Sequence, residues 1–404
     1  MAEKVTEHNT DAGTGEWTRL AAEAARLHSL YQQGRLDEVL DAVEQHRATM
    51  TMLPDEPDAG QDVDPWSIRE AILGVGVVAA HDLGRWPQAL ELNAAVRRSQ
   101  EDRKATEVEL AVTWFNDYGP LLRTGHAVEA RDLLYKCRAA FGRAEDVIMM
   151  GNTLSALADA DAHLGHVNLS VEQETDALRL KYQGSDPEAI AVSHYNLANY
   201  LISARQEPQP VWAHRLAAAV IRYQTDSPRF PASVQSIGRL VGRGDAEEAK
   251  APMSFNDVCA IVDGLPEVRF AELFALLPDR AGGGQAAIDE IMRQTNSMRD
   301  SAVEESVAAW EPIISAMVVA QQPDAPAEVK ELLEGALSEL KEQRMWFELV
   351  IVLQRIQAGP GFHSEHTVED IDPVSSAVAR RARAALAGEL TVDPQAWRAL
   401  VEDD

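Results

Sequence analysis

Residues 113–134 read TWFNDYGPLLRTGHAVEARDLL, in which two apolar helical patterns flank a short turn at Gly125. Apolar residues recur with the period of a helix up to this glycine, which can adopt the positive φ that ends a helix. A second amphipathic pattern begins within a few residues. The stretch therefore predicts two antiparallel helices joined by a tight turn, with Trp114 as a large wedge between helices.

The same turn recurs along the first half of the chain. It falls at Gly34, Gly84, Gly125 and Gly165 and at the non-glycine Arg205, with spacings of 50, 41, 40 and 40 residues. One helical hairpin cannot bury its own apolar face, whereas stacked hairpins bury a continuous core. The recurrence therefore predicts a solenoid of about five helical hairpins.

Two of these segments carry a family resemblance. Residues 113–134 and residues 191–204, AVSHYNLANYLISA, resemble tetratricopeptide repeats (TPR), and the segment from Tyr195 to Asn199 stands where that family has its first-helix core. The period of about 40 residues resembles the longer-helix variants of the family rather than the usual repeat of about 34. The resemblance implies an all-α protein that binds other proteins rather than catalysing a reaction.

The remaining sequence predicts four regions. Residues 1–16 are expected to form a disordered tail, and residues 17–228 the TPR-like solenoid. Residues 229–252 contain helix breakers and charge and predict a linker. Residues 253–404 show further helical patterns and no alternating strand pattern, so they predict a C-terminal α-helical bundle.

Charge and cysteine content restrict the classes of function. The 404 residues include 37 basic and 65 acidic side chains, a formal charge of −28, which disfavours nucleic acids and anionic membranes as partners. No apolar run approaches the roughly 20 residues that span a bilayer, and the polar start lacks a signal-peptide pattern. Two cysteines, Cys137 and Cys259, are too few for a disulfide framework. We therefore expect a cytoplasmic protein.

Motifs for chemistry are weak. The densest set of possible metal ligands is Asp159, Asp161, His163 and His166. Asp159 and His163 are four residues apart and could share a helix face, but the resemblance places them on a surface where polar residues are expected without metal. His363 and His366, with Glu365 between them, form an HxxH pattern in a glycine-flanked stretch that is typical of a solvated loop. No serine-nucleophile or nucleotide-binding motif is present, so we expect no cofactor, no metal and no enzymatic activity.

The resemblance also implies a binding groove, because the first helix of each TPR hairpin lines the concave surface. It assigns to that groove His81, Asp82, Phe115, Leu122, Arg123, Asn152, Ser155, Asp159, His163, Tyr195, Asn199 and Ile202. Phe115 and Tyr195 stand where the lysines of a carboxylate clamp would be, which argues against that mode of binding. Asn199 corresponds to an asparagine that bonds a peptide backbone, a role for which its paired donor and acceptor are suited.

The leading expectation is a scaffold or adaptor that binds a peptide or helix of a partner protein, with self-association possible through the C-terminal helices. One alternative is a ligand- or partner-sensing regulatory subunit that acts on a separately encoded effector in a bacterial signalling or defence system. A further alternative is a metal-dependent enzyme that uses Asp159 and His163. The sequence does not identify the partner.

Overall fold

A computed structural model describes residues 11–55, 63–184, 186–241, 253–343, 346–358 and 373–401. Within these ranges the chain forms helices and connecting turns and no β-strand, which confirms the all-α class. Two compact units are present, Met1–Ser233 with Ala251–Asp289, and Val234–Lys250 with Glu290–Asp404. None of the described helices is both long and apolar enough to cross a membrane.

The first unit begins with a series of helical hairpins. Its helices are α1 (Asp11–Gln32), α2 (Leu36–Met52), α3 (Pro65–Asp82), α4 (Trp86–Asp102), α5 (Glu107–Asn116), α6 (Tyr118–Arg123), α7 (Ala127–Arg143), α8 (Val147–His163), α9 (Val167–Gly184), α10 (Pro187–Ser203) and α11 (Pro208–Gln224). Each helix packs against the next, and α1 with α3 and α8 with α10 also pair across the intervening helix. This repeat-like packing buries the apolar stripes that the sequence shows.

The predicted turns all have the predicted backbone. Gly34, Gly84, Gly125 and Gly165 have φ between 68° and 83°, and Arg205 has φ 54°. After each of them, the next N–H donates to the carbonyl five residues earlier, as His126 N does to Leu121 O at 2.8 Å. These bonds satisfy carbonyls that the ending helix would leave open.

A second series of turns has the same period but lacks glycine. Lys104, Glu145 and Asp226 also have positive φ, 60°, 54° and 53°, where α4, α7 and α11 end. They lie 41 and 81 residues apart, one and two periods. Glycine spacing does not predict this series, because none of its turns has glycine at the positive-φ position.

The third hairpin departs from the pattern, since its first helix is broken between α5 and α6. Pro120 has no N–H to donate to the carbonyl of Asn116, and Asp117 N turns to Trp114 O, three residues back, at 3.0 Å. Thr113 O instead accepts from Asn93 Nδ2 of α4 at 2.6 Å. The break changes which side chains of this hairpin face inward.

The predicted boundaries differ from the observed elements. Residues 11–16 of the predicted tail belong to α1, and α12 (Phe230–Val241) occupies half of the predicted linker. Pro231 lies in the first turn of α12, where no N–H is needed, and Val234, Ile237 and Val241 are buried on one side. The rest of the predicted linker, residues 242–252, and residues 1–10 lie outside the described ranges.

The segment after that linker also differs from prediction. Helices α13 (Phe255–Val262) and α14 (Phe270–Leu276) belong to the first unit rather than to a C-terminal domain. Helix α13 packs on α11, and the fully buried ring of Phe270 lies edge-on to His194, with ring centroids 6.1 Å apart. Apolar burial therefore attaches this segment to the last hairpin.

The second unit contains residues 234–241 of α12 and the remaining helices. These remaining helices are α15 (Gly284–Ala309, whose first residues belong to the first unit), α16 (Glu311–Ala320), α17 (Ala327–Glu342), α18 (Phe347–Ala358), α19 (Pro373–Leu386) and a 3₁₀ helix, Ala396–Leu400. Pro312 opens α16 rather than lying inside one longer helix. The core of the second unit includes Ile314, Met317, Leu333 and the fully buried Val350 and Leu353 of the apolar α18.

Candidate functional site

The predicted groove residues lie on helices α3, α5, α6, α8 and α10, and we call this set of residues the first-helix face. All of the predicted residues except Leu122 are at least partly exposed. Leu122 is only 8% exposed and belongs to the core, so its assignment to the groove is wrong. The break at Asp117 interrupts the helical register, and Leu121 and Leu122 are both buried.

At the α3 end, the first-helix face is partly tied to neighbouring helices. Asp82 accepts a hydrogen bond from Tyr31 of α1 at 2.9 Å. His81 lies edge-on to Trp86, with ring centroids 5.6 Å apart, and a Cβ added to Gly119 of α6 would lie 3.8 Å from its Cε1. Phe115 is half-buried against the core and packs on Tyr118, with centroids 5.1 Å apart. These contacts bring α1, α3 and α6 together.

At the α10 end, two arginines of α11 contact the predicted groove residues Tyr195 and Asn199. The Cζ atoms of Arg215 and Arg222 lie 4.1 and 5.6 Å from the ring centroid of Tyr195. Arg215 also donates to the side-chain oxygen of Asn199. Because that bond takes one of the two acceptor positions of the oxygen, the NH₂ group of Asn199 is the more available part of its amide, which narrows the predicted role in backbone recognition.

Between these ends lies a buried set of four polar side chains, which we call the serine ring: Ser155, Glu174, Lys181 and Ser193. Lys181 Nζ donates to Ser155 Oγ at 2.7 Å and to Ser193 Oγ at 2.9 Å. Both hydroxyls donate in turn to Glu174 Oε1, from 2.9 and 2.5 Å. The ring joins α8, α9 and α10, and Ser155 is its half-exposed member on the first-helix face.

Burial dominates the electrostatics of the serine ring. Glu174 is 0% exposed and Lys181 7%. Burial raises the pKa of Glu174, opposed chiefly by Lys181, and burial lowers the pKa of Lys181, opposed chiefly by Glu174. Burial thus disfavours the charged form of each side chain. The attraction between the two charges and the bonds to the two hydroxyls act against this effect.

Sequence reasoning missed Glu174 and Lys181 because both lie on a second helix, outside the predicted groove. A signal was present, since Glu174, Ala177, Leu178 and Lys181 have the i, i+3, i+4, i+7 spacing of a buried helix stripe. Charged residues at both ends of such a stripe indicate a buried polar contact rather than a solvated surface.

A second polar set supports the break between α5 and α6, and we call it the kink network: Asn93, Arg97, Gln100, Thr113 and Asp117. Asp117 accepts from Asn93 Nδ2 at 2.7 Å and from Arg97 Nη1 at 2.6 Å. Thr113 Oγ1 donates to Gln100 Oε1 at 2.7 Å. Beside it lies a cleft of about 850 Å³ lined by Leu90, Trp114, Leu121 and Leu133 among others, so Trp114 is not simply a buried wedge.

A buried histidine pair follows the serine ring. Nδ1 of His194 lies 2.9 Å from Nδ1 of His214, and Nε2 of His194 lies 2.9 Å from the hydroxyl of Tyr182. Burial lowers the pKa of His214 to about 4 and that of His194 well below its ordinary value. The two rings are therefore neutral at pH 7 and share one proton between their Nδ1 atoms.

The possible metal ligands do not converge. Asp161 is fully buried and accepts from His166 Nδ1 at 3.0 Å and Gln173 Nε2 at 2.9 Å. Asp159 and His163 instead lie on the first-helix face, with Nδ1 of His163 3.4 Å from Asp159 Oδ1. In the part of the chain that the structure describes, no three such side chains group to hold a metal ion. His363, Glu365 and His366 lie outside that part.

The cysteines have poor reactivity in this structure. Cys137 is buried, and burial raises the pKa of its thiol to about 12. Cys259 is half-buried, and burial raises its pKa to about 11. A thiol nucleophile needs a lowered pKa, so neither position favours covalent chemistry.

Comparison with known proteins adds no assignment. No family model matches the chain, and no curated protein matches it significantly.

Proposed function

We propose that this chain is a TPR-like interaction protein that binds an extended or helical segment of a partner protein along its first-helix face. The observation that carries the proposal is the row of partly exposed side chains on successive first helices, from His81 on α3 to Tyr195 and Asn199 on α10. Repeat-like packing of neighbouring helices presents such side chains on a common surface.

The α10 end supplies the contacts that most resemble binding anchors. Tyr195 is half-exposed but held by Arg215 and Arg222, so its ring is positioned before a ligand arrives. Preorganised aromatic side chains bind at a low cost in conformational entropy and often dominate binding energy. The NH₂ group of Asn199 lies one helical turn away and would donate to a carbonyl of the bound segment. A cytoplasmic location, consistent with two free cysteines, is part of the proposal.

Selection of a random peptide display library on the full-length protein tests this proposal. We expect wild-type protein to enrich related peptides, and the double variant Tyr195→Ala with Asn199→Ala to bind them at least tenfold more weakly. The matched control is Tyr135→Ala with Asn168→Ala, which alters exposed residues on the second helices α7 and α9. Equal binding by the two double variants, with helical content unchanged, would refute the assigned surface.

A further inference from the structure

The middle of the first-helix face carries a carboxylate with little compensation. Asp159 of α8 is partly exposed, and the exposed His163 of the same helix has its Nδ1 3.4 Å from the carboxylate of Asp159 but 2.8 Å from the backbone carbonyl oxygen of Asp159. Burial raises the pKa of Asp159, and His163 and Arg123 act against that rise. Arg123 is exposed and forms no ion pair with a described carboxylate. Asp159 therefore lies in a partly desolvated position, and its one close basic neighbour in the described structure, His163, bonds more closely to a backbone carbonyl than to the carboxylate.

A second carboxylate lies beneath this position. Glu174 Oε1 accepts both bonds of the serine ring, whereas Oε2, in a side chain that is 0% exposed, has no hydrogen bond of good geometry within the described structure. The half-exposed amide of Asn196 lies close enough to stabilise the carboxylate. Lys181 offsets the charge of Glu174, and its Nζ is bonded to Ser155 and Ser193. Lys181 therefore does not pair with Asp159.

Two tyrosines lie close enough to both carboxylates for the carboxylate charges to raise the pKa of each phenol. The charges of Asp159 and Glu174 both act on Tyr118 of α6 and on the buried Tyr200 of α10. Neither hydroxyl makes a hydrogen bond with a described residue. The ring of Phe115 lies against that of Tyr118. We call the group of Tyr118, Asp159, Glu174 and Tyr200 the Asp159 site; it offers oxygen atoms and aromatic surface.

We propose that the Asp159 site binds the side chain of a lysine or arginine in the partner segment. An ammonium or guanidinium group would pair with Asp159, donate to the free phenol oxygens and lie near the rings of Phe115 and Tyr118. An anionic group would meet two carboxylates, and a neutral amide would leave the charge of Asp159 unpaired. The formal charge of −28 on the chain favours the approach of a basic segment.

This inference rests on the proposed function and is tested with the same display library. We expect peptides enriched by wild-type protein to share lysine or arginine at one position. For a selected peptide, Asp159→Asn should weaken binding about tenfold, the effect of losing one partly buried charge pair. Replacing the basic residue of that peptide with glutamine should weaken binding about equally, and combining both changes should add little more.

The control is Asp41→Asn, which removes an exposed carboxylate on α2 that forms no ion pair with a described residue. Enrichment without a shared basic position, or equal binding by the Asp159→Asn and Asp41→Asn variants, would overturn the inference but leave the proposed function standing. Wild-type protein that enriches no peptide at all would overturn both. An effect of Tyr195→Ala with Asn199→Ala but not of Asp159→Asn would show that binding occurs only at the α10 end.

Discussion

The kink network and the serine ring are both polar layers between helices of the first unit, but they differ in how completely they are paired. In the kink network, Asp117 accepts from Asn93 and Arg97 and is only 5% exposed, while Asn93 also satisfies the carbonyl of Thr113. The bond from Asn93 to Thr113 satisfies a carbonyl that the break leaves open, and the bonds to the Asp117 carboxylate hold the residue at the break. The kink network is therefore explained by the fold alone.

The serine ring compensates for no break in the backbone. Helices α8, α9 and α10 are continuous, and apolar residues at the four positions would pack these helices without any buried charge. The ring also leaves Glu174 Oε2 without a well-formed bond and reaches the first-helix face through Ser155. Of these two layers, the serine ring alone contains polar groups that the fold does not require.

The largest effect is expected from breaking the kink network. Asp117→Ala removes the acceptor of the half-buried Arg97 and one of the two acceptors of the buried Asn93, and loss of one partner from a buried pair costs about 3–5 kcal/mol. Urea unfolding followed by circular dichroism should show this loss in the free energy of unfolding. Asp132→Ala, on the exposed side of α7, is the control and should change stability by less than about 0.5 kcal/mol.

Acid should destabilise helices α10 and α11, which carry the histidine pair His194 and His214. The pKa of His214 is about 4 in the folded chain and 6.5 in a free side chain, so the neutral ring stabilises the fold fully above pH 6.5. That contribution, about 3 kcal/mol, is lost as pH falls from 6.5 towards 4. The groups that face the pair are Tyr182 of α9 and the uncharged Phe270 of α14, with Cys259 and Asp263 beyond Tyr182.

Hydrogen exchange of α10 and α11 measured at pH 7 and pH 5 tests this expectation. The His214→Asn variant should lose much less protection on acidification than wild-type protein. The exposed His163→Asn is the control and should retain the wild-type response. Identical acid responses of the two variants would exclude the histidine pair as the cause.

Within the serine ring, removing one charge should cost more than removing both. Lys181→Met leaves a buried carboxyl that must bind a proton, at a cost of about 2 kcal/mol at pH 7. The double variant Lys181→Met with Glu174→Gln should lie within about 1 kcal/mol of wild type, because no buried charge remains. Urea unfolding of the three proteins measures the difference. A double variant less stable than Lys181→Met would indicate that the ion pair itself stabilises this layer.

The smallest effect is expected at two positive-φ turns, the one at Arg205 after α10 and the one at Gly125 after α6. Arg205 ends α10 with φ 54°, a conformation that costs a non-glycine residue about 1 kcal/mol. Arg205→Gly should therefore raise the free energy of unfolding by up to about 1 kcal/mol, less the entropy of the freer unfolded chain. Gly125→Ala, at φ 83° in the hairpin of the kink network, should lower it by a similar amount. A loss of stability in Arg205→Gly, or a gain in Gly125→Ala, would contradict the shared positive-φ turn geometry.

The helical hairpins were predictable because their signals are local. Glycine spacing and the 3.6-residue apolar pattern predicted the turns at Gly34, Gly84, Gly125 and Gly165, and the same alignment identified Arg205. The break at Asp117 was not predicted, although Pro120 was in view, because its stability depends on Asn93 from another helix. Helix α12 was missed because Pro231 was interpreted as a breaker, whereas a proline in a first turn is compatible with a helix.

The candidate site was only partly predictable. The repeat alignment assigns Asp159, Tyr195 and Asn199 to first helices, and these residues lie partly exposed on α8 and α10. It could not show that Arg215 occupies the Asn199 oxygen or that Glu174 and Lys181 lie beneath Ser155. These contacts join residues on different helices, so no local pattern specifies them.

By itself the sequence determined that this protein is all-α, that its first half repeats with a period of about 40 residues, and where most of those hairpins turn. These properties depend on backbone preferences and apolar periodicity, which act over a few residues. Only the tertiary structure decided that α13 and α14 join the first unit, that Leu122 is buried, and that Glu174 has one carboxylate oxygen without a well-formed hydrogen bond. Burial and pairing depend on the neighbours that packing brings together, so residues far apart in the sequence decide them and no local pattern does.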